Sequence, residues 1–274
     1  MRNPDFALAT KPAFYPSLYL KTVIDTTPVK KLALFGFLSL SSLTVNADVF
    51  DWTSNNIQVL YGNDFKLGDK DRATVTVEHS DGWLYGSNFF FVDIVSHNDI
   101  GVEFYSELYS YLSLSKITGL NWSLGPVKDV AVMAGLNIGN KPERDSFKAY
   151  LLGLNFDFAN PWFNYLQVSV SAYKDDNIRG KYGVQITPVW SLPFELGGLK
   201  FKFRGFTDFN LGNTNAAGAF SILSQPQLLL DVGNLAGWKS DKLYIGTEYQ
   251  HWHNKYGLPG INEHVVQAMV IGFF

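Results

Sequence analysis

The sequence predicts an all-β protein: a single antiparallel transmembrane β-barrel of about 12 strands behind a cleaved N-terminal signal peptide. Three observations lead there. Lys30-Lys31, a short apolar run and Val45-Asn46-Ala47 read as an export signal with a small-residue cleavage site. Beyond Ala47 the chain alternates apolar and polar residues with a period of two, segment after segment. The exported chain has no cysteine and is 16% aromatic, so its stability must come from something other than disulfides. A closed barrel supplies it, because closure pairs every ladder group and leaves no edge.

The apolar run Leu32–Leu43 suits a signal core and is too short to span a bilayer as a helix, which needs ~20 residues. Val29-Lys30-Lys31-Leu32 reads as the opening of such a signal, so translation is expected to start at Val29; N-terminal sequencing of the unprocessed precursor tests this. Residues 1–47 then form an upstream extension plus signal, and residues 48–274 form the barrel. Removing 1–47 takes away five basic and two acidic side chains, so the 22 and 25 of the whole chain become 17 and 23. That acidic balance argues against a nucleic-acid partner, which needs a basic surface.

Strands are expected near 55–62, 72–80, 83–95, 100–112, 128–138, 147–158, 163–174, 181–191, 199–210, 219–231, 241–251 and 264–274. Turn residues separate them: Ser80-Asp81-Gly82, His97-Asn98-Asp99, Gly139-Asn140-Lys141-Pro142, Ala159-Asn160-Pro161, Gly197-Gly198 and Gly257-Leu258-Pro259-Gly260. Asn164–Lys174 is the clearest strand. Leu166, Val168, Val170 and Ala172 take one face; Tyr165, Gln167, Ser169, Ser171 and Tyr173 take the other. In a membrane barrel the first row meets lipid and the second lines the lumen. Twelve strands lie between ~8-stranded barrels filled by side chains and ~16-stranded porins, so a narrow lumen is expected.

Parity also assigns the lumen lining. Lys200, Lys202, Arg204, Phe206 and Asp208 share a face opposite Phe201, Phe203 and Phe209. Cations turned toward hydrocarbon would each cost ~2–4 kcal/mol near the midplane, so this row points inward or sits at an interface. Glu103, Tyr105, Glu107 and Tyr109 oppose Val102, Phe104 and Leu108; Glu248 and Gln250 oppose Ile245, Thr247 and Tyr249; Phe89, Phe91 and Asp93 form a further row. Rings stack on flat, weakly polar solutes while the charged groups bond hydroxyls or ring heteroatoms. A nucleoside fits such a lining. The structural counterpart is that the charges pair across a small lumen and hold the wall together.

His251-Trp252-His253 puts two histidines on one side of a strand, which reads as interfacial rather than as a metal site. His97, Asp81 and Asp99 resemble a catalytic set only in the way polar turns do. No serine elbow, H-E-x-x-H helix or phosphate loop is present in the sequence, so neither an enzyme nor a cofactor is expected. The seven tryptophans recur near presumed strand ends, as in an aromatic girdle.

Over Trp52–Phe274 the chain resembles the Tsx-like nucleoside-specific channel family, which includes the OmpK outer-membrane proteins. The stretches that carry the resemblance are Leu120–Lys128, Gly205–Gly212, Phe89–Asp93 with its aromatic-x-Asp ending, and Tyr249–His253 with its Trp-His pair. The resemblance implies a monomeric twelve-stranded barrel in the outer membrane, with both termini in the periplasm, passing nucleosides by facilitated diffusion. It also implies a bacteriophage-receptor role for the outer loops. The competing expectation is a non-conducting barrel that serves only as a surface or phage receptor.

Overall fold

The computed structural model describes residues 49–97, 101–140 and 146–274. The expected signal and its cleavage point lie outside these residues, as do Asp99 and the Lys141-Pro142 turn. Among the described residues the strands are β1 (Phe50–Gly62), β2 (Arg72–Trp83), β3 (Gly86–His97), β4 (Gly101–Ser113), β5 (Val127–Asn140), β6 (Phe147–Phe158) and β7 (Tyr165–Asp175). They continue with β8 (Gly183–Leu196), β9 (Leu199–Gly212), β10 (Ser221–Ser224), β11 (Gln227–Asp231), β12 (Leu243–His253) and β13 (Glu263–Phe273). Every pairing is antiparallel between neighbours, and β1 pairs β13 from Asn56↔Phe273 to Gly62↔Gln267, which closes the sheet. Strands β10 and β11 both run between β9 and β12, so they are two halves of one stave and the barrel has twelve.

Alternation decides which side chains face in. On β13, Val265, Gln267, Met269 and Ile271 are buried while Val266, Ala268 and Val270 are exposed. On β7, Ser169, Ser171 and Tyr173 are buried between the exposed Val170 and Ala172. The outside is an apolar surface: Leu152 is 64% exposed, Val266 62% and Leu108 49%. A continuous apolar wall of this kind is stable against hydrocarbon and unstable against water.

The expected stave over 219–231 is interrupted at Gln225-Pro226. Proline has no N–H for the ladder, so the chain bulges there, Gln225 N–H donating to the Phe206 carbonyl. Gly205 on β9 makes room: a Cβ there would lie 2.5 Å from the Gln225 carbonyl oxygen, and its φ is +154°. The expected turn at Ser80-Asp81-Gly82 is instead strand, paired with Phe89, Asn88 and Ser87; the turn falls at Leu84-Tyr85. Gly82 is required there because Trp52 lies over it, with Nε1 2.1 Å from where a Cβ would stand. Strand β8 runs past the expected end at 191 to Leu196, and the Gly197-Gly198 turn comes next as expected.

Two short helices interrupt the rim where β1 begins and β13 ends: α1 (Leu114–Thr118), capped by the Ser113 hydroxyl, and α2 (Val232–Leu235), capped by the Asp231 carboxylate. The tryptophans do not make two girdles. Trp52, Trp83, Trp122, Trp162 and Trp238 gather at this rim, Trp190 lies within β8 against Phe203, and Trp252 sits at the opposite rim on the lumen face.

Candidate functional site: the barrel lumen

Two apolar clusters fill part of the interior. Leu60, Leu229, Tyr244, Met269 and Ile271, with Phe273 against them, pack on the β11–β1 wall. Tyr109, Met133, Ala149, Leu151 and Tyr173, with Phe89 and Tyr111, pack on the facing wall. Beside them runs a polar network. Arg204 crosses from β9 to β2, donating from its two terminal nitrogens to the Glu78 carboxylate at 3.0 and 3.2 Å. Its Nε donates to Gln227 at 2.7 Å, and Asn56 and Gln58 donate to the same Glu78 at 2.7 and 3.2 Å. A buried guanidinium is stabilised by this kind of saturated, bidentate partner.

From Gln227 the network continues to Glu248, which also accepts from Gln225 and Gln267 at 3.0 and 2.8 Å. Gln225 donates on to Gln250, which donates to Glu263. At the rim where β1 ends and β13 begins, Glu263 also accepts from Lys255 at 2.5 Å and from the Lys66 backbone N–H at 2.7 Å. The Lys255 ammonium stands 4.9 Å from the ring centre of Trp252 and 5.4 Å from that of Tyr256. Burial pushes its amine below the ordinary value, and Glu263 offsets part of that. The contact between Glu263 and the Lys66 N–H ties the loop after β1 to the last hairpin.

Above the bridge, toward that rim, is a cavity of about 450 Å³. Phe91, Asp93, Glu103, Tyr105, Glu107, Asp208 and Glu248 line it, as parity predicts, together with Phe206. Tyr105 donates to Glu107 at 2.5 Å, Thr76 to Asp93 at 2.5 Å and Thr187 to Asp208 at 2.5 Å. The Phe91 and Tyr105 rings lie 5.8 Å apart, centre to centre.

The other predicted lining residues face inward but lie elsewhere. Phe89 and Tyr109 belong to the second apolar cluster. Lys202 reaches Asp241 and sits 4.6 Å from the Tyr244 ring centre, and Lys200 contacts Ser240; both are near the rim where β1 begins and β13 ends. Arg204 forms the bridge below the cavity. Side chains that parity reasoning passed over complete the site: Glu78, the glutamines at 58, 185, 225, 227 and 267, and Asn137, beside the Gln250 that parity did assign. Strand β13 hid its glutamine because both of its faces are largely apolar.

His97 and Asp81 do not meet. His97 is at the rim where β1 ends, 3.3 Å from Glu103, whereas Asp81 is near the other rim and bonds His79 and Asn88. Asp99 lies outside the described residues. His251 lies beside His264 on the outer wall, the rings tilted to each other and Nδ1 to Nδ1 3.1 Å, with Tyr249 bonded to His264. Among the described residues no group of three or more His, Cys, Asp or Glu is placed to hold a metal ion.

A closed twelve-stave barrel, apolar outside and polar at its centre, is the architecture of a bilayer-spanning β protein. The chain belongs to the family DUF5020, described as a domain of unknown function, whose model matches residues 54–266. It is 27% identical over 153 residues to "Outer membrane protein OmpK" of Vibrio parahaemolyticus; that match covers 55% of each, so the chain spans about half the length of this curated relative. The solved structure of the KdgM porin in complex with disordered oligogalacturonate overlaps 80% of this chain and 99% of its own, at 8% identity and a TM-score of 0.44. At that level the likeness carries no conclusion about this chain.

Proposed function

We propose that the protein is an outer-membrane channel for small solutes, and that nucleosides or similarly flat, weakly polar molecules are its permeants. The observation that carries this reading is the cavity of about 450 Å³, in which the rings of Phe91, Tyr105 and Phe206 stand among Asp93, Glu107, Asp208 and Glu248. Rings offer stacking surface and the polar groups offer hydrogen bonds, each weak enough to permit release. The OmpK relative, named as an outer-membrane protein, supports the location. In this reading residues 1–47 are an export segment cleaved after Ala47, the barrel is monomeric, both termini face the periplasm, and the cavity opens to the cell exterior.

Uptake of radiolabelled nucleoside into proteoliposomes tests the proposal. Uptake that outpaces that of sugars of similar size supports it; equal uptake of both leaves a general pore. One observation favours a second reading, a non-conducting barrel acting as a surface or phage receptor. The Arg204–Glu78 bridge crosses the lumen, and Leu229, Tyr244 and Ile271 nearby are shut off from solvent. Proteoliposomes that pass neither solute support that reading.

A further inference from the structure

His251, near the end of β12, and His264, near the start of β13, are direct partners in the ladder, so both rings leave the sheet on its outer face. Their Nδ1 atoms stand 3.1 Å apart and their ring centres 4.7 Å apart. Tyr249, two residues before His251 on the same face, brings its hydroxyl to 2.8 Å from the His264 Nδ1. The pair visible in the sequence, His251 and His253, is not the one that meets: the His253 Nε2 lies 3.1 Å from the Asn254 Nδ2 instead.

A ring nitrogen offers one in-plane position, either an N–H or a lone pair. In either tautomer the His264 Nδ1 therefore has two partners, the His251 Nδ1 and the Tyr249 hydroxyl, for a single hydrogen bond. A metal ion removes that conflict, because each ring nitrogen and the phenol oxygen then supply a lone pair of their own. Metal–nitrogen bonds of about 2.0–2.1 Å put two neighbouring ligand nitrogens about 2.9 Å apart at a right angle and about 3.3 Å apart in a tetrahedron. The observed 3.1 Å falls between these two spacings. Among the described residues no further His, Cys, Asp or Glu makes the pair into a group of three. Two imidazoles without a carboxylate suit zinc, copper or nickel, not calcium or magnesium, which take oxygen ligands. His264 is exposed and so is Tyr249, which leaves the remaining coordination positions open to water.

We propose that His251 and His264, with Tyr249 beside them, hold a divalent transition-metal ion on the outer wall and so clasp β12 to β13 at the rim where β1 ends. The site lies outside the lumen and does not depend on whether the barrel conducts. Calorimetric titration of the full-length barrel, purified in detergent without a histidine tag, with zinc chloride tests it, and calcium chloride is the control. One zinc ion per barrel is expected to bind, and calcium is not. His251→Ala and His264→Ala are each expected to weaken zinc binding about tenfold or more, Tyr249→Phe to weaken it less, and His253→Ala to leave it unchanged. Zinc is also expected to raise the thermal unfolding midpoint of the wild type, because it binds the folded chain, and to leave that of His264→Ala where it was.

No zinc binding, calcium binding of equal strength, or zinc affinity unchanged in either His251→Ala or His264→Ala overturns the proposal and leaves the two rings a hydrogen-bonded pair. Binding lost with His253→Ala overturns it too, by placing the metal elsewhere. Should circular dichroism show that a variant has lost its strands, the wild type alone decides. Copper(II) bound to it is expected to give an electron paramagnetic resonance spectrum with two imidazole nitrogens in the coordination sphere, and a spectrum with one or none overturns the site.

Discussion

Arg204 and Glu78, 126 residues apart in sequence, meet across the lumen in a bidentate pair at 3.0 and 3.2 Å. The pair joins β9 to β2, which are separated by several staves in either direction around the wall. It therefore fixes the width of the lumen at its level as well as satisfying two buried charges.

Breaking the pair from one side leaves the other charge buried and alone. Arg204→Met is expected to destabilise the barrel by ~3–5 kcal/mol, and adding Glu78→Gln is expected to recover much of that. Urea unfolding of barrels refolded into vesicles measures both. In a conducting barrel the double variant has a larger single-channel conductance than the wild type, because the crossing side chain is shorter.

Lys255 gives a pH dependence. Its amine titrates below the ordinary 10.5 because it is buried, with Glu263 compensating only in part. Between the folded and unfolded pKa values the unfolded chain holds more protons, so folding stability rises with pH in the window just below 10.5 and levels off above it. The wild type is expected to gain stability relative to Lys255→Met as pH rises through that window. Paired thermal melts at stepped alkaline pH detect it, and a difference that is flat or falls with pH contradicts the assignment.

Leu152 stands near the middle of β6, 64% exposed on the outer wall. Leu152→Arg is expected to cost ~2–4 kcal/mol in a bilayer. Folding titrations in vesicles report the loss; an arginine tolerated there without penalty contradicts the placement of lipid.

Gly205 faces the Gln225-Pro226 bulge at a distance that leaves no room for a side chain. Gly205→Val is expected to destabilise the barrel by ~1–3 kcal/mol through crowding against that backbone. The unfolding midpoint shows it, whereas the same change at Gly272, with nothing within 4 Å of a Cβ, is expected to be far milder.

Parity made the faces of the strands legible. Glu103, Glu107, Arg204, Asp208 and Glu248 all point inward, where alternation puts them. Depth along a strand was not legible, because a period of two says which face a residue takes but not how far from the rim it lies. Lys200 and Lys202 are consequently at the rim, and Phe89 and Tyr109 are packed in an apolar cluster. Ser80-Asp81-Gly82 misled for another reason: turn-forming residues were held in the ladder by the neighbouring strands and by Trp52 above Gly82. The bridge itself depends on which distant staves face each other, information that no local pattern holds.

The central claim is that alternate residues of each stave face lipid and enclosed water, and the absence of cysteine makes it directly measurable. Single cysteines are placed in turn at residues 90–95 of β3, whose inward row lines the cavity, in the membrane-embedded barrel and treated with a small water-soluble thiol reagent. Phe91→Cys, Asp93→Cys and Val95→Cys are expected to react, and Phe90→Cys, Val92→Cys and Ile94→Cys to stay unmodified in their lipid surroundings. Reaction that is uniform along the stave, or strongest at the Phe90, Val92 and Ile94 positions, contradicts the claim.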